Sequence, residues 1–243
     1  MTRVGTAFRT GVTELGRTPL LLALLVVAPA YVVGLFTVVA PDGPARVHVA
    51  DQTVVTTLPE AFPAFTTPMT AALLSGIAGL FLMRTAVEAD SRLVVAGYRP
   101  WQVVLARLGL VGAVSVVATT VSVAVMLTAF EPADLPVFLV GVLVTAFVYG
   151  LVGVLAGVLL DRLSGVYLIL FGAMIDLFVF QNPLATDTPA LSRFLPGHFP
   201  LRVAMAGGFD AAVATNVAAG TVAVIALLTT AVITAFALET RVE

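Results

Sequence analysis

Cysteine and lysine are both absent from this 243-residue sequence, and charge of either sign is scarce. Without cysteine there is no disulfide framework, no thiol nucleophile and no thiolate metal site. Without lysine no Gly-x-x-x-x-Gly-Lys-Ser/Thr loop can be completed, so the chain does not bind ATP by that route. Histidine is limited to His48 and His198, which form no His-Glu-x-x-His zinc site. Neither lies in an apolar stretch, where an intramembrane serine protease would need one. Charged residues make up 11% of the chain, against roughly 25% in a soluble domain. What is abundant is apolar: 60% of the residues are hydrophobic, with a mean hydropathy of +1.09. These figures exclude a water-soluble globule and a disordered chain alike. A net charge of −2 supplies no basic field for nucleic acid. The chain reads as an all-α integral membrane protein, with no enzyme activity, cofactor or metal of its own.

A helix needs about 20 mostly apolar residues to cross a bilayer. Six stretches meet or approach that length, at 18–40, 67–87, 104–130, 135–160, 163–181 and 211–238. No alternating barrel pattern is present, so the spans are expected to be helices, which satisfy their own backbone groups in lipid. The first resembles a secretory leader in its preceding arginines and its Ala28-Pro29-Ala30 site, but its apolar run continues to full span length. It is read as an uncleaved first helix. With the N-terminus inside, nine of the twelve arginines fall in cytoplasmic segments: Arg3, Arg9, Arg17, Arg84, Arg92, Arg99, Arg107, Arg162 and Arg241. Arg46, Arg193 and Arg202 fall outside. This asymmetry predicts a multi-pass protein of the cell membrane with both termini cytoplasmic.

The segments between spans carry further expectations. Residues 1–17 place Val4, Phe8, Val12 and Leu15 on one helical face and Arg3, Arg9 and Glu14 on the other. That is an amphipathic interfacial helix, serving as a membrane anchor or as a docking element. Residues 41–66 are expected to form an outer loop, with turn signals at Pro41-Asp42-Gly43-Pro44 and an alternation around Val47 and Val49 compatible with a short hairpin. His48 stands there without a second ligand. Residues 88–103 form a charged cytoplasmic elbow: its first part extends the second helix beyond the membrane, Gly97 and Pro100 then break that helix, and a short surface helix leads into the third span. Residues 182–210 are too polar to span and too apolar for a free loop, which predicts short helices dipping into the outer leaflet under protein cover.

Within the spans, Asp176 is the ionisable residue that stands out. Such residues are costly in lipid and mark either a wet path or a hydrogen-bonded structural tie; both readings are open here. Gly153 and Gly157 form a Gly-x-x-x-Gly pair, which serves close helix packing or, less directly, a dimer face.

Taken in order, these parts resemble the permease subunit of ABC-2 type transporters. The resemblance is carried by Arg17-Thr18-Pro19-Leu20 and Pro29, by the elbow with Gly97 and Pro100, and by Phe194-Leu195-Pro196-Gly197-His198 before Arg202 and Gly207-Gly208. It covers nearly the whole chain, although the elbow lacks the Gly-Thr pair that some members carry after its acidic residue. The resemblance implies six spans, a connecting helix at the N-terminus, a coupling helix between spans two and three and short outer helices between spans five and six. It implies a partner ABC ATPase that binds and hydrolyses ATP, and a second permease in a homodimer or heterodimer within the lipid bilayer. Coupling to the ATPase would fall to Glu88, Asp90, Arg92, Tyr98 and Arg99. A path lined by spans two and five would have Asp176 near its outer end, and transport would run outward. The competing expectations are an ATP-independent secondary transporter or channel, and a non-transporting membrane anchor. Against the first stands the lack of a repeat between the two halves of the chain.

Overall fold

The computed structural model describes residues 9, 13, 19–49, 52–95, 100–185 and 189–242, with backbone alone for 19–22, 37, 84–95, 100–103 and 239–242. The described residues are mostly helical, and five helices are long and apolar enough to cross a membrane. In chain order the elements are α1 (Pro19–Val39), strands β1 (Pro44–Val49) and β2 (Gln52–Thr57), α2 (Leu58–Val95), α3 (Pro100–Met126) and α4 (Leu135–Leu159). They continue with α5 (Arg162–Phe180), a 3-10 turn (Ala190–Phe194), α6 (His198–Gly208) and α7 (Thr215–Val242). The five long apolar segments are those of α2 to α5 and α7; in α1 the apolar stretch Ala23–Phe36 is shorter. The expected helix of 1–17 lies outside the described residues apart from Arg9 and Thr13, both helical and joined by a Thr13 hydroxyl bond to the Arg9 carbonyl at 2.9 Å.

Three features depart from the sequence expectations. First, the outer loop of 41–66 holds the short antiparallel hairpin that its alternation allows, but it gives way to helix well before 66. The hairpin register pairs Pro44 with Thr57 and Val49 with Gln52, and Ala45, Val47 and Val49 are buried on one face. Helix α2 therefore starts at Leu58 rather than 67. Its start carries the glutamate half of a capping box: Glu60 accepts from the Thr57 backbone N–H at 3.4 Å and from the Thr56 hydroxyl. Second, Pro63 and Pro68 lie inside α2 without ending it. Thr66, Thr67 and Thr70 return their hydroxyls to carbonyls four residues back, at 2.8, 2.7 and 2.8 Å, so these three hydroxyls are satisfied within the buried helix. Third, while α2 continues past the membrane to Val95 as expected, the next helix begins at Pro100 and runs unbroken to Met126. The surface helix expected before the third span is thus the first turn of that span's own helix.

Helix α4 is the centre of the bundle, with its most extensive contact against α2 and further contacts to α3, α5, α6 and α7. The α2–α4 contact is made backbone to backbone through glycine. A Cβ on Gly79 would overlap the Gly150 carbonyl, and one on Gly153 would overlap that of Gly76. Gly157 lies against Leu80 and Met83 in the same way. The Gly153/Gly157 pair is therefore spent on packing inside the chain. At the hairpin end, α6 is a short helix laid on α4. Only Gly at 141 lets Ala204 approach, and only Gly at 207 clears the backbone of Phe138. The turn between α3 and α4 closes on it through Asp134 N–H to Gly207 O at 2.8 Å. Of the short helices expected in 182–210, α6 is accordingly covered by protein. The outer members are α5 and α7, whose apolar windows are only 28% and 17% buried, leaving broad apolar faces for lipid.

Candidate functional site

Among the described residues, the buried acidic side chain, Asp176, lies on α5. The chain of 168–180 is not a regular α-helix: Leu168–Gly172 and Ile175–Phe180 are π turns. A π turn encloses one residue more than an α turn, shifts the helical phase of the residues after it, and is common at functional positions. Here the second turn closes with Gln181 N–H on the Asp176 carbonyl at 2.9 Å. Asp176 is buried against α4 rather than facing lipid like its neighbours Met174 and Ile175.

Its carboxylate is fully engaged. Oδ2 accepts from the Tyr149 hydroxyl of α4 and from the Gly197 backbone N–H at 2.9 Å. Oδ1 accepts from Gln181 Nε2 at 3.2 Å. Gln181 Nε2 also donates to the Ser192 carbonyl at 2.8 Å, and these two acceptors fix which end of the amide is oxygen. Oε1 then faces His198 Nδ1 at 3.0 Å. Because an amide oxygen only accepts, Nδ1 carries the proton and Nε2 is left with a lone pair. Gly197 is required by space: a Cβ there would lie 2.5 Å from Leu177 and 2.9 Å from Asp176 Oδ2. One carboxylate thus ties α4, α5, the 3-10 turn and the start of α6 together.

On the other side of Gln181 is a cavity of about 230 Å³. His48, Gln181, Asn182, His198 and Arg202 give it a polar wall, completed by Leu201 and Met205. The hairpin reaches it because His48 N–H donates to the Pro183 carbonyl at 2.7 Å. The His48 ring is held by Thr53 through Nδ1 and Oγ1 at 3.1 Å. Burial is the main cause that lowers the His198 imidazole from its ordinary 6.5 to about 4, with the positive charges of Arg202 and Arg193 adding to it. A smaller crevice of about 200 Å³ opens beside Tyr149 and Asp176, walled by Leu168, Ile169, Leu195 and Pro196.

No protein-family model and no curated protein matches the sequence.

The structure therefore assigns places by geometry alone. Glu88, Asp90 and Arg92 lie on the last turns of α2, where the backbone alone is described; Tyr98 and Arg99 lie outside the described residues. His48, which sequence spacing leaves without a partner, shares its cavity with His198. Among the described residues, no three acidic or histidine side chains gather to hold a metal ion. Tyr149 and Gly197 are the members that sequence reasoning missed. The one signal was a tyrosine in the middle of an otherwise apolar 25-residue helix, since a buried tyrosine hydroxyl needs a partner.

The His198 shift makes stability depend on pH with a definite sign. Below 6.5 the unfolded chain takes up a proton that the folded imidazole refuses until about pH 4, so stability is full above 6.5 and falls as pH drops through that interval. Unfolding midpoints of the purified protein measured between pH 8 and roughly pH 4 should decline over this window. In His198→Gln the decline should be shallower; an identical slope in both proteins would remove His198 as its source.

Proposed function

We propose that this chain is the membrane-spanning permease subunit of an ABC transporter of the ABC-2 type, moving a substrate outward with ATP hydrolysed on a separate subunit. The observation that carries the reading is the length of α2. Its apolar segment is Leu58–Met83, yet the helix runs for 38 residues to Val95. At 1.5 Å per residue that is roughly 57 Å, against roughly 30 Å for the hydrocarbon core. About three turns therefore project beyond the apolar segment, carrying Arg84, Glu88, Asp90 and Arg92. A helix is stiff along its axis, and α2 meets α4 backbone to backbone at its glycines. A push at the projecting end would thus reach the centre of the bundle without being absorbed by flexible side chains.

In this reading α1, helical for 21 residues, is the sixth span, and the arginine-rich end faces the cytoplasm of a cell-membrane protein. The partners are an ABC ATPase at the α2–α3 elbow and a second permease, identical or related, in the bilayer. The lipid-facing surfaces of α5 and α7 leave room for such an assembly.

The test is affinity purification of the tagged chain from its native cells in mild detergent, with partners identified by mass spectrometry and ATP hydrolysis assayed. An ATPase in near-equal amount, lost when Glu88, Asp90 and Arg92 are replaced by alanine together, is the expected result. A homo-oligomer without an ATPase, under conditions that preserve a known ABC complex, overturns the proposal.

A further inference from the structure

Two histidines from opposite halves of the chain and one arginine meet in a cavity that the transport reading leaves unused. We propose that this cavity binds a phosphate-type oxyanion on a ligand that also presents a hydroxyl or a P–OH group. The charge for it is supplied by Arg202. Every other residue of α6 is buried or half-buried, and Arg202 alone is exposed, as a wall of the cavity. A guanidinium offers a planar fork of donors that matches two phosphate oxygens. The same cavity adjoins the first turn of the 11-residue helix α6, whose N-terminal end carries partial positive charge. No acidic side chain among the described residues lines the cavity. Asp176 stands behind Gln181 with its oxygens already taken.

The demand for a hydroxyl comes from His198. With Nδ1–H donated to Gln181 Oε1, the neutral ring offers the ligand a lone pair at Nε2. A bare oxyanion facing it would meet acceptor against acceptor. A P–OH or a glycerol-type hydroxyl would instead donate to it, while the charged oxygens turn to Arg202. The volume of about 230 Å³ is below the usual range for drug-sized ligands and suits a single head group.

Two sources carry this chemistry, a lipid head group and a soluble phosphate ester. The surroundings favour the lipid. The 3-10 turn held by Gln181 exposes Leu191 and Phe194, at 58% and 85%, on either side of Arg193. Apolar side chains around a cation suit the depth at which acyl chains meet head groups.

The full chain, purified in detergent, would be titrated with glycerol phosphate and with inorganic phosphate. Native mass spectrometry would compare its retention of phosphatidylglycerol and phosphatidylcholine. Arg202→Gln should weaken binding about tenfold, while Arg193→Gln, which removes an equal charge just outside the cavity, should change it less than about twofold. His48→Gln is the second variant, expected to weaken binding several-fold, in case Arg202→Gln accumulates poorly. Binding of glycerol phosphate, competed by the lipid, assigns the site to phosphate esters in general; retention of phosphatidylglycerol alone assigns it to a head group. If no probe binds, or if Arg193→Gln weakens binding as much as Arg202→Gln, the site does not exist and the effect is surface charge. The readout is binding, so the outcome is independent of whether an ATPase partners the chain.

Discussion

Asp176→Ala is expected to lower the thermal unfolding midpoint of the detergent-purified protein by roughly 10 °C, the equivalent of about 3 kcal/mol for a chain of this size. The substitution removes no apolar contact of consequence. It strands two buried donors, the Tyr149 hydroxyl and the Gly197 N–H, and takes one acceptor from the Gln181 amide, which keeps the Ser192 carbonyl. Each unpaired buried donor carries its full desolvation penalty, which exceeds the net gain from a hydrogen bond. Tyr149→Phe removes one donor along with its need for a partner and should cost less, about 1 kcal/mol. Asp176→Asn should fall between the two, because it keeps an acceptor oxygen but turns an amide N–H₂ toward other donors. In the double variant Asp176→Ala/Tyr149→Phe the losses should sum to less than the separate values, since both act on one contact. Unfolding followed by Trp101 emission or by size-exclusion of heated samples measures all four. An Asp176→Ala protein as stable as the parent would show that the carboxylate ties nothing together.

A larger effect is expected at the α2–α4 seam. Gly153→Ala places a methyl group on the Gly76 carbonyl, 3.0 Å from Leu80 N, where the obstacle is backbone and no side chain can rotate away. Overpacking in a core commonly costs 1–3 kcal/mol, about the range where small shifts still absorb it. Here the two central helices must separate, so little folded protein should accumulate in the membrane. Gly79→Ala, which meets the Gly150 carbonyl and then Val154 N at 3.2 Å, should behave alike. Gly112→Ala is the control: its nearest neighbour would be a Phe147 ring carbon at 3.9 Å. Alanine's better helix propensity should leave that variant neutral or up to about 1 kcal/mol more stable. Fluorescence-detected gel filtration of tagged variants gives the comparison, and a normal Gly153→Ala peak would contradict the packing described here.

Parts of this architecture were legible because they depend on local composition. Five of the expected spans overlap the long apolar helices, since about 20 apolar residues in a row have few other stable environments. The semi-apolar character of 182–210 correctly pointed to short covered helices. The start of α2 was missed by two to three turns because the apolar stretch begins only near Pro68, whereas the helix starts upstream at Thr57-x-x-Glu60, which is a start signal in its own right. The reach of α2 past the membrane, ended before Gly97 and Pro100, was legible in the charged continuation of the span, but the unbroken α3 escaped, since a Pro100 that ends one helix can equally open the next.

Asp176 shows the limit most clearly. Its residue type and its place near the end of a span justified attention, and the neighbouring Gln181 was visible from sequence as part of the same turn. Its partnership with Tyr149 was not. That contact depends on two π turns, which alter the helical phase and turn residue 176 toward α4 when its neighbours face outward. The same is true of His48, which is placed beside His198 by the pairing of β1 with Pro183.

By itself, then, the sequence determined that this is a helical membrane protein, roughly where its apolar helices run, and that it carries its arginines in an asymmetric pattern. Those properties follow from the transfer of each residue between water and lipid, a sum over single residues that needs no knowledge of neighbours. The tertiary structure alone decided that Gly153 serves α2, that Asp176 is tied to Tyr149 and Gly197, and that His48, His198 and Arg202 share a cavity. Such pairings depend on the rotation and register of each helix against the next. At the glycine seam these are set by contacts between backbones, and hydropathy does not encode them.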